Sequence, residues 1–251
     1  MTLDVAGVLA DAWRMWKRDR ELLLVVAGLF LFLPELVRAI YVPALPVMIG
    51  PSGDAAALKS WLAALELWWS QYSLILIVIA LAAMFGTLMV FTLYLDPRRP
   101  NVRVALVRTL TLLPRYLGVT LLLAFPLGVA LLTLWLLLPA IYAAGRLILV
   151  TPALVADRQN GIFGAISRSL SLTRGNGMVL AGFACIATFG GGILSLPFRA
   201  LGSALDGAPM ANPVVALLLD TGMAAGMATG ALAATLVEIA LYRHLSASKG
   251  I

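Results

Sequence analysis

Apolar residues fall in six blocks separated by short polar stretches, at 22–41, 72–95, 117–138, 139–156, 178–198 and 213–242. Each block approaches or exceeds the ~20 residues with which a helix crosses ~30 Å of hydrocarbon. The pattern predicts an all-α polytopic membrane protein in which residues 1–251 form a single integral membrane domain. Six spans and their connections use the whole length, leaving no room for a separate soluble domain. The stretch 117–156 is apolar throughout and would extend ~60 Å as one helix, about twice the membrane core. It must fold back, and Pro139 with Ala140 is the expected turn because proline ends or kinks a helix.

Three segments preceding the odd-numbered spans share a second, amphipathic pattern. They run from Leu9 to Arg18, from Leu106 to Arg115 and from Ile166 to Gly175. In each, a large apolar residue is followed three positions on by a small one, then by a large apolar residue. Another apolar residue comes two later, and a basic residue closes the set. Apolar positions at helical spacing with basic residues opposite predict helices lying in the headgroup plane. The chain therefore reads as a threefold repeat of interfacial helix, outward span and returning span.

The first connection is the longest. It opens with Pro43, Pro46, Gly50, Pro51 and Gly53, which punctuate a turn region. Residues 55–69 then predict a further helix carrying Trp61, Trp68 and Trp69. Tryptophan prefers the membrane interface, so these rings read as an anchor, with a gate over a ligand cavity as the alternative.

Charge fixes an expected orientation. Charged residues are 12% of the chain, about half the soluble average. The net charge of +6 is spread unevenly. Arg14, Lys17, Arg18 and Arg20 precede the first span, and Arg98, Arg99, Arg103, Arg108 and Arg115 separate the second from the third. Arg158, Arg168 and Arg174 separate the fourth from the fifth, and Arg243 and Lys249 follow the sixth. The opposite connections hold only Lys59 and Arg199. By the positive-inside rule both termini should be cytoplasmic, in a bacterial inner membrane, with anionic lipid rather than nucleic acid as the basic partner. The N-terminus lacks the layout of a secretory signal. The lone Cys185 excludes an intramolecular disulfide and the lone His244 excludes a multi-histidine site.

Polar residues inside the spans are the candidates for function, because they are costly in hydrocarbon. Glu35 and Arg38 can pair at i,i+3. With Arg146 and Asp220 they fall in the outer half of the bilayer and predict one neutral polar cluster, in which Arg146 contacts Asp220 or Glu35. That cluster reads as an ion pair fixing helix register, or as a site for a headgroup or small anion. Glu238, near the inner end of the last span, is expected to snorkel or pair with Arg243. Gly222, Gly226 and Gly230 form a stripe for close helix packing, within the chain or in a homo-oligomer. No nucleophile–base pair, metal-ligand spacing or phosphate loop is present, so no cofactor, metal or catalytic residue is expected.

From Arg146 through Pro152, and again from Ala165 through Arg168, Ser169, Leu172, Thr173, Arg174, Gly175 and Asn176, the chain resembles the membrane region of some bacterial glycerophosphoryl diester phosphodiesterases and related stand-alone six-span proteins. The resemblance covers about 30 residues and implies a six-helix inner-membrane protein. The phosphodiesterase domain itself is missing, so no catalytic residue carries over. Arg168, Ser169, Thr173, Arg174 and Asn176 suit lipid phosphate oxygens, or a capped helix start with snorkelling arginines. The expected function is a non-enzymatic module binding lipid or a protein partner. A small transporter or permease subunit and an unrecognised lipid-acting enzyme are the alternatives.

Overall fold

The computed structural model describes residues 3–49, 54–96, 101–132, 134–157, 161–205 and 212–248. Arg98, Arg99, Arg158 and Lys249 of the orienting charges, and Gly50, Pro51 and Gly53 of the first connection, lie outside the described residues. The elements are α1 (Val5–Ala27), α2 (Leu33–Tyr41), α3 (Ala55–Leu95), α4 (Val102–Leu132), α5 (Leu137–Leu147), α6 (Val150–Ala156), α7 (Gly161–Leu172), α8 (Gly177–Leu205) and α9 (Pro213–Ser248). No strand occurs among the described residues. Among the described residues, six helical passes are long and apolar enough to cross a membrane: α1 with α2, α3, α4, α5 with α6, α8 and α9. Contacts of Arg243 with the Tyr94 carbonyl, of Tyr94 with Asp19 and of His244 with Asp11 bring the first half of α1 and the last turns of α3 and α9 together at one end, the basic end.

Helix starts follow side-chain caps. Asp4 accepts from the Gly7 amide, Asp54 from Ala56, Asn101 from Val104 and Asn212 from Val214, each satisfying a donor the first turn leaves open. α1 bends at Asp19 (φ −116°, ψ 23°), which separates its amphipathic half from the first span. A π-helical turn, Gly28–Phe32, joins α1 to α2 directly before Pro34. A proline lacks an N–H and crowds the preceding turn, so a wider turn there accommodates it.

Two expected boundaries move. The helix expected over 55–69 and the second span are one continuous helix, α3, of 41 residues. Trp61 Nε1 donates to the Pro46 carbonyl at 2.9 Å and Trp68 Nε1 to Pro43 at 3.1 Å, so the indoles pin the extended 42–49 segment back onto α3. The turn between spans three and four lies not at Pro139 but before it. α4 ends at Leu132, a single 3-10 turn covers Leu134–Leu136, and Pro139 sits in the first turn of α5. The missing N–H costs nothing in a first turn, so proline there starts a helix instead of breaking one.

The repeat recurs in the packing. Val8, Ala12 and Met15 of α1, Ala105, Thr109 and Leu112 of α4, and Ala165, Ser169 and Leu172 of α7 are all buried. This is one register, i, i+4, i+7, used three times. The returning spans answer with their own: Leu88 and Thr92, Leu149 and Ala153, Leu236 and Ala240, every one buried. A polar residue follows four positions on in each, at Asp96, Asp157 and His244. α4 packs on α3, α7 on α6, and α1 on α9. Each amphipathic helix thus docks on the returning span of the preceding unit, and the first docks on the last, which closes the order into a ring.

Among the described residues, ionic contacts mark the α3–α4 and α1–α9 junctions, with opposite polarity. Arg108 Nη1 donates to Asp96 Oδ2 at 2.5 Å, with both side chains largely buried. At the α1–α9 junction the acid is on the amphipathic helix instead, where Asp11 meets His244 and Arg14. Hydrogen bonds from Arg14 first, then from His244, hold the Asp11 carboxyl below its usual range.

Candidate functional site

Arg146 sits beside a break. α5 stops at Leu147 and α6 starts at Val150, so the fourth pass is interrupted at Ile148 and Leu149. Non-helical backbone at membrane depth needs neighbours to satisfy its polar groups. The α7–α8 corner does so here. Ser169 Oγ donates to the Arg146 carbonyl at 2.8 Å. The Thr173 hydroxyl lies 3.2 Å from the same carbonyl and donates to Ser169 O at 2.8 Å. In return, Arg146 Nε donates to Thr173 Oγ1 at 2.8 Å and Nη2 to the Leu170 carbonyl at 2.6 Å. Gly175 turns the corner at φ +93°, a conformation that favours glycine, and the Asn176 amide closes it on Thr173 O.

The contact expected between Arg146 and Asp220 or Glu35 is therefore replaced by one with Thr173 and Leu170. Similar depth does not bring side chains together: α5 packs on α4, α7 and α8, whereas Glu35 lies on α2 and Asp220 on α9. The same clasp corrects the phosphate-binding reading of the motif. Ser169 and Thr173 are fully buried and face Arg146. Of the five motif residues proposed for lipid phosphate, Arg174 is exposed and Arg168 and Asn176 are partly so. The arginine in span four and the Ser–Thr pair after it are one structural unit.

At the end opposite the basic one, α2, α3, α8 and α9 line a partly open cavity of about 800 Å³. Its polar lining includes Arg38, Arg199 and Asp220, and its apolar walls include Leu76, Phe198 and Met223. Arg38 Nε pairs with Glu35 at 2.6 Å, as the i,i+3 spacing predicts. Arg199 has no hydrogen bond or ion pair among the described residues. Of the polar cluster expected by depth, Arg38 and Asp220 line this cavity, Glu35 adjoins it through its bond to Arg38, and the second arginine is Arg199, not Arg146. By hydropathy alone Arg199 falls in a connection, because the apolar block ends at Phe198. α8 in fact runs to Leu205, and the helical spacing of Phe198, Arg199, Gly202 and Ser203 is the signal that could have found it.

The glycine stripe zips α9 to α8. A Cβ on Gly222 would enter the Phe198 ring, one on Gly226 would lie 2.9 Å from the Leu194–Ser195 backbone, and one on Gly230 would fall on Gly191. Glu238 does not pair with Arg243, whose Nη2 donates to the Tyr94 carbonyl at 2.7 Å. Tyr94 OH in turn donates to Asp19 at the α1 bend, at 2.6 Å. Arg18 holds the Asp19 carboxyl below its ordinary range. No group of three or more metal-ligating side chains occurs among the described residues.

No protein family, curated protein or solved structure matches this chain, so the geometry carries the functional argument.

Proposed function

We propose that this protein is a non-enzymatic bacterial inner-membrane module that holds a phospholipid, with its termini cytoplasmic and its lipid site in the cavity at the opposite, periplasmic end. The observation that carries this is an amphipathic cavity of about 800 Å³ whose wall holds Arg199, an arginine without a partner among the described residues. That volume lies in the range of small-molecule sites. Arg199 and Arg38 suit phosphate oxygens through charge-assisted hydrogen bonds. Leu76, Phe198 and Met223 offer apolar surface to the glyceride and first methylenes. The close α8–α9 contacts at Gly226 and Gly230, further along the seam, favour a holding site over a through-path for transport.

The test is native mass spectrometry of the full chain released from phosphatidylglycerol nanodiscs. One retained phospholipid is expected for the parent, with at least tenfold less retained by Arg199→Ala. Arg168→Ala with Arg174→Ala should leave retention unchanged, because those residues lie at the basic end. Equal retention by Arg199→Ala, or loss on the basic-end substitutions alone, would overturn the assignment. The family likeness at Arg146 and 165–176 is compatible with such a module, although its Ser169 and Thr173 serve the fold.

A further inference from the structure

A second concavity lies on the α8–α9 seam nearer the basic end, and it has a different chemistry. Between α8 and α9, with Val5 and Leu9 of α1 and Ile148 at the α5–α6 break, runs a groove of about 520 Å³. Its lining is apolar or glycine except for one side chain, Glu238. Rim residues Leu9, Ile186, Ile193 and Leu194 are exposed, so the groove is open on its outer side.

Glu238 has no hydrogen bond or ion pair among the described residues. Tyr116 of α4 is the titratable neighbour whose electrostatic interaction reaches it. The nearest arginine along α9, Arg243, is engaged by the Tyr94 carbonyl. A carboxylate among hydrocarbon walls is costly unless a counter-charge reaches it, and the groove supplies none.

Two glycines show that the groove is built into α8. A Cβ added to Gly182 meets nothing within 4 Å, and one on Gly190 meets only the end of Ile186 at 4.0 Å. Neither is small to admit another helix, unlike Gly191, Gly226 and Gly230. Glycine inside a helix costs about 1 kcal/mol against alanine, and here its effect is to leave the groove empty of side chains.

We infer that this groove binds a lipophilic monocation, an ammonium- or phosphonium-type ion with an apolar body, whose charge is met by Glu238. A bare metal ion does not fit, because hard cations need several oxygen ligands and the lining offers one carboxylate. An uncharged acyl chain would fill the walls and leave the carboxylate unmatched. An anion would be repelled. Phe183 adds an aromatic ring to the lining, a further surface for a cation.

The probe is radiolabelled tetraphenylphosphonium, bound to the full-length chain in phosphatidylcholine nanodiscs. Tetraphenylborate, similar in size and apolarity with the opposite charge, is the control. Saturable binding of one phosphonium per chain and no saturable borate binding are expected. Glu238→Gln should weaken phosphonium binding at least tenfold. Gly182→Leu puts a side chain into the groove from a position where the added Cβ meets nothing within 4 Å, so it should fold like the parent and also bind at least tenfold more weakly. This variant decides the matter should Glu238→Gln fail to fold. Unchanged binding in either folded variant, or borate binding as tightly as phosphonium, would overturn the inference. So would a dimer of the parent that Gly182→Leu dissociates, since a second copy would then occupy the groove. Arg199→Ala should leave phosphonium binding intact, which keeps this outcome separate from that of the phospholipid site.

Discussion

Breaking the clasp at Arg146 should destabilise the protein through Thr173, not through the acids that share its expected depth. The side chain makes two short bonds, 2.8 Å to Thr173 Oγ1 and 2.6 Å to Leu170 O, and a longer one, 3.4 Å, to Tyr142 OH. In soluble proteins a hydrogen bond to a charged group contributes about 1.5–3 kcal/mol. In bilayers, side-chain hydrogen bonds between helices average about 0.6 kcal/mol and reach about 1.7 kcal/mol, because the unfolded helices also find partners. Two short bonds at the upper membrane value put Arg146→Leu at about 3 kcal/mol. Thr173→Val keeps the shape, removes one of those bonds and strips a hydroxyl from the Ser169 and Arg146 carbonyls, for about 1–2 kcal/mol. Because the two share a bond, the double variant should cost about 1 kcal/mol less than the sum of the singles. Unfolding in mixed micelles over a range of dodecyl sulfate mole fraction measures all four corners of the cycle. The parallel cycle of Arg146→Leu with Asp220→Asn should show no coupling. Additive behaviour with Thr173, or coupling to Asp220 of the same size, would refute the reasoning.

Three further outcomes follow from the same packing. Gly230→Leu drives a side chain into the Gly191 backbone and should cost 3 kcal/mol or more by the overpacking rule, roughly its upper range; folded yield by size exclusion reads it, with Gly192→Ala, whose added Cβ meets nothing within 4 Å, as the silent control. Asp96→Ala leaves Arg108 buried without its carboxylate and should cost about 3–5 kcal/mol; the swap of Asp96→Arg with Arg108→Asp should recover part of it, because the α1–α9 junction already uses the reversed polarity. The depressed Asp11 carboxyl contributes stability that is fully present above its ordinary range and is lost as pH falls through its folded value. The melting temperature of the parent should therefore drop more steeply than that of Asp11→Asn below about pH 4, and parallel curves would remove this junction from the acid response.

How legible the site was depended on whether its residues are local or distant. Glu35 with Arg38 was readable because three residues on a helix share a face, and the pair forms at 2.6 Å. The glycine stripe was readable for the same reason, although only the coordinates show that its partner is α8. The partner of Arg146 was not readable because depth along a sequence does not say which helices are neighbours, and α5 packs on α7 and α8 rather than beside Glu35 or Asp220. Ser169 and Thr173 looked like phosphate ligands because hydroxyls beside arginines have that chemistry wherever they point. Their direction is set by α7 docking on α6. Glu238 carried no local sign that its neighbours on α1 and α8 would leave it without a partner.

The sequence by itself determined the class: six apolar blocks demand hydrocarbon, since no other solvent tolerates them and a helix alone satisfies its own backbone there. It also determined the threefold recurrence, because one apolar register written three times can only dock on three similar surfaces. Tertiary structure decided the order of docking, in which the first amphipathic helix meets the last span, a contact between residues more than 200 positions apart. It also decided which charges meet. Lipid supplies no hydrophobic drive between helices, so shape at glycines and small residues selects partners, and such a shape exists only once the helices lie side by side.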